Sequence, residues 1–134
     1  MSTFHLQIVT PDGQNFDGQA VRLLIPTIDG QVGILARHIN YLTGLGMGPA
    51  KVVTEEGERH AACIGGMIAV TNGDVKVVAT TFEWADEIDV ERARASQARG
   101  EKMLADPDAD EQTKAYAQAR IKRAKVRLSV AEKK

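Results

Sequence analysis

Apolar and polar residues alternate along the first part of the chain. Phe4, Leu6 and Ile8 are separated by polar residues, and the stretch 21–25 repeats this two-residue period. It is the period of a β-strand with one buried face. Further short apolar runs, which are also expected to be strands, occupy residues 32–35, 50–54, 60–64, 67–71 and 75–80.

Turn sequences that contain glycine separate these expected strands. Pro11-Asp12-Gly13 combines a proline, which fixes φ, with a glycine, which takes positive φ without steric cost. Asp29-Gly30, Gly65-Gly66 and Asn72-Gly73-Asp74 predict further turns. Many short strands at this spacing are typical of a β-sandwich or flattened barrel. Residues 1–84 are therefore predicted to form an all-β module, called the β-domain below.

The pattern changes at about residue 85. Eleven of the twelve glycines precede residue 84, whereas alanine and long charged side chains dominate afterwards, a composition that favours helix. Asp89 is a suitable N-cap for a first helix at about residues 89–105. Asp106-Pro107 should end this helix, because a residue that precedes proline is disfavoured in the helical conformation.

A second helix is expected at about residues 109–131. Asp108 is its predicted N-cap, because Glu111 follows three residues later as in a capping box. Both helices carry small and apolar residues at alternating spacings of three and four, which form a seam along one side. Two such seams predict an antiparallel hairpin over residues 85–134, and hence an α+β fold in two modules. The seam residues are Val90, Ala93, Gln97, Gly100 and Leu104, then Ala117, Ile121, Ala124, Leu128 and Ala131.

The composition of the seams predicts a loosely held hairpin. Alanine and glycine let two helices approach closely, but each methyl-sized contact contributes less than about 1 kcal/mol. Gly100 in a helix interior costs roughly another 1 kcal/mol relative to alanine. We therefore expect exchange between a closed hairpin, packed on the β-domain, and an extended one. A permanently closed hairpin is the alternative.

Composition limits the class of protein. The chain has 134 residues, of which 43% are hydrophobic but 4% aromatic, so the core must be aliphatic. The single cysteine, Cys63, excludes an internal disulfide and is expected to be a small buried residue. No apolar run approaches the ~20 residues of a membrane-spanning helix, and no signal peptide is recognised. Membrane contact is expected only through a partner.

Charge is distributed unevenly along the C-terminal module. Residues 86–111 contain nine acidic and four basic side chains, whereas residues 114–134 contain eight basic and one acidic. The basic end suits an acidic protein surface. Nucleic acid is not expected as a partner, because this segment has one aromatic residue for stacking, Tyr116, and no recognised binding signature.

The β-domain shows no pattern that indicates catalysis. It lacks a nucleophile elbow, a phosphate-binding loop and a cluster of metal ligands. Its histidines, His5, His38 and His60, belong to three different segments, so they are expected at the surface or an interface rather than on a metal. The β-domain is interpreted as a docking platform, with no catalytic residue and no metal site.

Four arginines of the helices are candidates for an anion site. Arg92 and Arg99 lie seven residues apart on the first helix, and Arg123 and Arg127 lie one turn apart on the second. If the helices pack together, these guanidinium groups repel one another. A polyphosphate would relieve that repulsion through charge-assisted hydrogen bonds.

Two carboxylates would complete a nucleotide site. Glu83 and Asp89 are hydrogen-bond acceptors near one end of the helices, suited to a base amine or to ribose hydroxyls. The alternative is that the arginines are solvated or pair with Glu91 and Glu101.

In order and spacing, these motifs resemble the epsilon subunit of bacterial F-type ATP synthases over essentially the whole chain. Gln31 and Ala36 depart from the family, in which many members carry an acidic residue and a proline there. The resemblance is carried by residues 8–13 with Phe16 and Gly18, residues 29–35 with His38, Gly65-Gly66, residues 88–93 and residues 127–131.

The resemblance implies a non-catalytic rotor subunit at the cytoplasmic face of the bacterial membrane. The β-domain would bind the gamma subunit and the ring of membrane c subunits, with Gln31 and His38 at the rotor interface. The extended hairpin would reach the catalytic alpha/beta hexamer and inhibit ATP hydrolysis. The coupled ion, H⁺ or Na⁺, is left open.

The resemblance also implies an ATP site in the closed hairpin. Certain members bind ATP through an Ile/Leu-Asp-x-x-Arg-Ala motif, which is intact here. ATP would be a regulatory ligand rather than an obligatory cofactor, and it would deplete the extended state by binding only the closed one. The matching positions are Glu83, Ile88, Asp89, Arg92, Ala93, Arg99, Arg123 and Arg127.

Two rival interpretations share the predicted fold. One is an adaptor unrelated to rotation, whose basic helices bind another acidic protein. The other is an enzyme that acts on nucleotides with Glu83 or Asp89 as its base. The absence of a metal cluster, an oxyanion donor set and an evident nucleophile argues against the enzyme.

Overall fold

A computed structural model describes residues 2–133 of the chain. It contains eight β-strands, a short 3₁₀ turn at Ala85–Glu87 and two α-helices. The strands are β1 (Phe4–Thr10), β2 (Gly13–Ala20), β3 (Arg22–Thr27), β4 (Gly30–Leu35), β5 (Tyr41–Gly44), β6 (Met47–Thr54), β7 (Gly57–Thr71) and β8 (Asp74–Trp84). The helices are α1 (Val90–Ala105) and α2 (Glu111–Ala131).

The strands form one hydrogen-bonded sheet that folds over an aliphatic core. Their order is β2-β1-β8-β7-β6-β3-β4, and β5 pairs with β7 outside this path. β1 and β8 run parallel, with Leu6 opposite Val75, and the other pairs are antiparallel. The predicted all-β module followed by an antiparallel helical hairpin is confirmed. Large, fully buried side chains of the core are Leu6, Ile8, Leu23, Ile25, Ile34, Val52, Ile68, Val70 and Val77.

Two strands lie where apolar periodicity predicts none. β2 is an edge strand in which Phe16 and Ala20 stand among polar residues and glycines. β5 has four residues and pairs along its whole length with β7. Backbone hydrogen bonds to a neighbouring strand, rather than an apolar pattern, place these segments in the sheet.

β7 corrects the prediction of two strands separated by a Gly65-Gly66 turn. It is one strand of 15 residues, which pairs with β6 in its first half and with β5 in its second. Gly65 and Gly66 have φ of 71° and 123°. A Cβ on Gly66 would lie 2.2 Å from the carbonyl oxygen of Val78. The two glycines therefore bend a continuous strand where another backbone approaches closely.

Both helices begin at aspartate caps. The Asp89 carboxylate accepts a hydrogen bond from the backbone N–H of Arg92 at 3.1 Å, as predicted. The prediction of Asp108 as the second N-cap is wrong, because Asp110 caps α2 through a first-turn N–H at 2.7 Å. The carboxylate of Asp106 instead accepts from the Asp108 N–H at 2.9 Å, a local turn that delays the helix.

The two helices pack along the predicted seams and approach closely at Gly100. Ala93 and Gly100 of α1 and Ala117 and Ala124 of α2 are buried. A Cβ on Gly100 would lie 2.7 Å from Cγ1 of Ile121 and 3.2 Å from the carbonyl oxygen of Ala117. The absence of a side chain at this position therefore sets the separation of the helices.

The end of α2 attaches the hairpin to the β-domain. Val130 is fully buried in a small cluster with Ala62, Ala85, Ile88 and Ala131. Val130 and Ile88 each contribute about 1.5–3 kcal/mol by burial, and the three alanines contribute less. This cluster, called the anchor below, is therefore worth a few kcal/mol. The seam pattern did not identify Val130.

Gly66→Ala is expected to destabilise the β-domain more than Gly57→Ala. Both glycines have positive φ, but a Cβ on Gly57 would meet nothing within 4 Å. Gly57→Ala should cost about 1–2 kcal/mol from backbone strain alone. Gly66→Ala adds a clash with backbone and should lower the free energy of unfolding by at least about 3 kcal/mol. Urea unfolding measures both, and equal losses would contradict the proposed close approach.

Gly100→Ala is expected to open the hairpin, although alanine is the better helix former. The added methyl collides with Ile121, so the helices must separate. Amide hydrogen exchange should quicken in α1 and α2 while the β-domain is unchanged. Adding Ile121→Ala removes the colliding atoms and should restore part of the protection, which a double-mutant cycle quantifies. Unchanged exchange in Gly100→Ala would show that the close approach does not hold the helices.

Candidate functional site

A groove between α1, α2 and the end of β8 brings most of the predicted site residues together. It encloses about 700 Å³ and is lined by seven of the eight predicted ATP-site residues. The predicted residues in the lining are Glu83, Asp89, Arg92, Ala93, Arg99, Arg123 and Arg127, and the others are Glu87, Ala95, Ser96, Tyr116 and Arg120.

The helical walls of the groove carry five guanidinium groups. Arg92, Arg99 and Arg123 make no ion pair with a carboxylate within residues 2–133. Glu91, considered above as a partner for these arginines, instead binds Arg94 outside the groove at 2.8 Å. Three neighbouring cations with no carboxylate partner favour binding of an anion.

Three carboxylates gather at the end of the groove nearest the β-domain. Glu83, Glu87 and Asp89 all precede α1. Glu83 accepts a hydrogen bond from Nε of Arg127 at 2.5 Å, and one oxygen of Asp89 is occupied by capping α1. Each of these two carboxylates keeps a second oxygen for a ligand. The groove is therefore acidic at one end and basic along its walls.

Ile88 does not line the groove. It is buried in the anchor, where it packs with Val130. Ile88 is the first residue of the Ile/Leu-Asp-x-x-Arg-Ala motif and directly precedes the Asp89 cap. Its side chain lies beneath the end of α2, so its place in the motif is explained by attachment of the hairpin to the β-domain. In this structure Ile88 holds the groove in place rather than contacting its contents.

Four polar residues of the groove, Glu87, Ser96, Tyr116 and Arg120, were not predicted from the sequence. Arg120 donates from Nε to the Ser96 hydroxyl at 2.9 Å and from Nη1 to the Tyr116 hydroxyl at 3.3 Å. Helical spacing could have identified two of them, because residues three or four apart share a face of a helix. Ser96 lies four residues after Arg92, and Arg120 lies three before Arg123. These residues contact one another because of the relative orientation of α1 and α2. Spacing within one helix does not predict that orientation.

The two residues predicted at a rotor interface lie at opposite ends of β4. Gln31 donates to the carbonyl oxygen of Pro49 at 2.9 Å, near the β3–β4 turn. His38 follows the other end of the strand, where its ring lies 5.8 Å from that of Tyr41. The two side chains therefore do not form one local patch, and their role in an interface stays a prediction.

An exposed apolar patch on the outer face of the sheet was also not predicted. Met67 and Val78 are directly opposite on β7 and β8, and Leu42 is opposite Ala69, two residues further along β7. These side chains share one face, and Ile28 covers Gly44 beside them. Ile28 and Leu42 are 70% and 69% exposed. Contiguous exposed apolar side chains mark protein-binding surfaces.

The described part of the chain shows neither a metal site nor a membrane-spanning helix, and its cysteine is buried. Residues 2–133 contain no group of three or more His, Cys, Asp or Glu side chains that could hold a metal ion. None of the helices in that range is both long and apolar enough to cross a bilayer. Burial raises the pKa of the Cys63 thiol to about 12, so it is protonated at neutral pH.

Comparison with known proteins identifies the family. The model for the β-sandwich domain of the ATP synthase delta/epsilon chain matches residues 3–85, and the model for its long α-helix domain matches residues 86–132. The chain is 34% identical over 134 residues to the ATP synthase epsilon chain of Shouchella clausii, covering 100% of this chain and 98% of that one. The epsilon chain of an Exiguobacterium species is 37% identical, with 100% and 99% covered. The chain belongs to the ATP synthase epsilon-chain family, as the resemblance predicted.

Solved structures share the fold at lower identity. A chain of the mitochondrial ATP synthase of Euglena gracilis superposes with a TM-score of 0.84 at 21% identity, covering 98% of this chain and 82% of that one. A chain of the Tetrahymena thermophila mitochondrial ATP synthase gives 0.63 at 19% identity, with 95% of each covered. Both likenesses support the sandwich followed by helices.

Cys63 is expected to resist alkylation in the folded protein. At pH 8 its raised pKa leaves almost no thiolate, and its side chain is fully buried. Iodoacetamide should modify the native chain only as fast as it opens, and the urea-unfolded chain within minutes. Mass spectrometry measures the modified fraction. Rapid modification of native protein would contradict the buried position in β7.

Proposed function

We propose that this chain is a non-catalytic central-stalk subunit of an F-type ATP synthase that restrains ATP hydrolysis through its hairpin and is regulated by ATP. The β-domain binds the gamma subunit and the c-ring and turns with them. Contact with the cytoplasmic face of the bacterial membrane occurs through the complex. Family membership across residues 3–132 supports the subunit class, and the arginine-walled groove supports the regulation.

The apolar patch is the proposed gamma-binding surface. Ile28, Leu42, Met67 and Val78 together expose more apolar surface than isolated surface residues do. The solved relatives are described as parts of an F1/c-ring assembly and of a central stalk with a c-ring, which is the setting proposed here for this chain. A rotor subunit needs a durable contact of this kind, because torque must pass through it without dissociation.

The hairpin is the proposed inhibitory element. α2 has 21 residues and is therefore about 30 Å long. Only the end of α2 belongs to the anchor, so loss of a few kcal/mol of contacts detaches this end of the hairpin from the β-domain. Its basic side chains then face acidic surfaces of the catalytic alpha/beta hexamer and oppose rotation in the hydrolysis direction.

ATP is the proposed ligand of the groove. Its triphosphate matches the guanidinium groups of Arg92, Arg99 and Arg123, which have no carboxylate partner within residues 2–133. Its base and ribose match the acceptors Glu83 and Asp89. The groove exists only when α1 and α2 are packed. ATP at 100 times its Kd would therefore stabilise the closed hairpin by about 2.7 kcal/mol, which is comparable to the anchor.

Arg92→Ala is expected to weaken ATP binding by tenfold or more, because it removes a charge-assisted contact with phosphate. Isothermal titration calorimetry on the isolated chain measures the Kd. Arg94→Ala is the matched control, since Arg94 lies on the same helix but binds Glu91 outside the groove. Equal losses in both variants, or no heat from the unmodified chain at millimolar ATP, would refute the ATP site.

Leu42→Asp is expected to weaken binding to the gamma subunit by at least tenfold, because it places a charge in the apolar patch. Co-purification and surface plasmon resonance with purified gamma measure the loss. Leu35→Asp is the control, since Leu35 is 57% exposed but lies on β4 outside the patch. If Leu42→Asp binds gamma normally, this surface is not the interface.

The rival adaptor function predicts a stable complex with an acidic protein other than the synthase. Failure to co-purify with gamma would favour it over the rotor role. The rival enzyme function predicts turnover of ATP by the isolated chain. Each carboxylate considered as its base already accepts one hydrogen bond, Glu83 from Arg127 and Asp89 from the first turn of α1.

A further inference from the structure

Arg120 occupies an unusual place in the groove. Its bond to Ser96 is the one side-chain hydrogen bond that joins α1 to α2 among the described residues. Both of its partners, Ser96 and Tyr116, are neutral, and no carboxylate in the range 2–133 forms an ion pair with it. A guanidinium has five N–H donors, of which two are used here. Arg120 is thus a fixed cation with donors to spare.

The position of Arg120 along the groove follows from the antiparallel packing. Gly100 of α1 lies against Ala117 and Ile121 of α2, and Ser96 lies against Arg120. Arg120 is therefore several residues along the helices from Asp89, where α1 begins. The lining carboxylates all precede α1, so the far end of the groove is purely basic.

This polarity orients a nucleotide. A ligand with one hydrogen-bonding end and one polyanionic end is most stable with its base near Glu83 and Asp89 and its phosphates directed toward Arg99 and Arg120. The last phosphate carries the most negative charge and lies farthest from the carboxylates. A diphosphate held by the same base contacts ends one phosphate short of Arg120.

We propose that Arg120 contacts the terminal phosphate and selects nucleoside triphosphates over diphosphates, with Ser96 and Tyr116 as the residues that position its guanidinium. This inference rests on the proposed ATP site. It assigns the selectivity to a residue outside the motif that first suggested that site.

The test compares ATP and ADP binding by calorimetry in the full chain and in Arg120→Gln. The unmodified chain should bind ATP at least tenfold more tightly than ADP. Arg120→Gln should weaken ATP by about tenfold or more and ADP by less than twofold, so that the preference is lost. Arg120→Lys should recover part of it, since the charge remains.

Ser96→Ala separates this role from a structural one. It removes the same cross-helix hydrogen bond as Arg120→Gln but keeps the charge. Selectivity through charge predicts that the salt dependence of ATP binding weakens in Arg120→Gln and weakens less in Ser96→Ala, which loses a positioning hydrogen bond but keeps the charge. If both variants lose ATP and ADP affinity equally, Arg120 only holds the helices together and the inference fails.

The outcomes also separate this inference from the function it rests on. If Arg92→Ala weakens ATP binding while Arg120→Gln keeps the ratio of ATP to ADP affinity, the ATP site stands and the role of Arg120 is refuted. If the unmodified chain binds ATP and ADP equally, the selectivity is refuted alone. If it binds neither, both proposals fall.

Discussion

The closed form of this molecule depends on one small contact, between the last turn of α2 and the β-domain. Val130 and Ile88 supply most of its buried apolar area, and the surrounding alanines add little. The Arg127–Glu83 ion pair beside it is partly exposed and contributes at most about 1 kcal/mol. An attachment of this size holds a helical hairpin in place, yet binding of a single ligand is sufficient to change its stability by a comparable amount.

Electrostatic repulsion opposes the packing of the two helices against each other. Packing α1 against α2 gathers five guanidinium groups around one groove, and four of them have no carboxylate partner within residues 2–133. An anion in the groove removes this cost, whereas separation of the helices removes it without a ligand. In the proposed mechanism the same arginines therefore serve two states: they bind phosphate when the hairpin is closed and present a basic surface when it is extended.

The sequence predicts the modules well because periodicity and turn residues are local signals. It divides the chain at residue 85, places both helices and nominates seven residues that the structure gathers around the groove. It does not predict β2 and β5, which are held in the sheet by backbone hydrogen bonds to β1 and β7. It also predicts a turn at Gly65-Gly66, where the structure has a bend within one strand. It also misses Ser96 and Arg120, because helix–helix register depends on tertiary packing at Gly100 that no single-helix pattern contains.

The location of the anchor has a practical consequence for anyone who handles the protein. Val130 and Ala131 lie in the last turn of α2, so the attachment of the hairpin is concentrated in a single helical turn. A fusion partner joined beside Val130 would crowd the buried valine, and deletion of this turn would remove it. Either alteration would shift the molecule toward its open form without changing a residue of the groove.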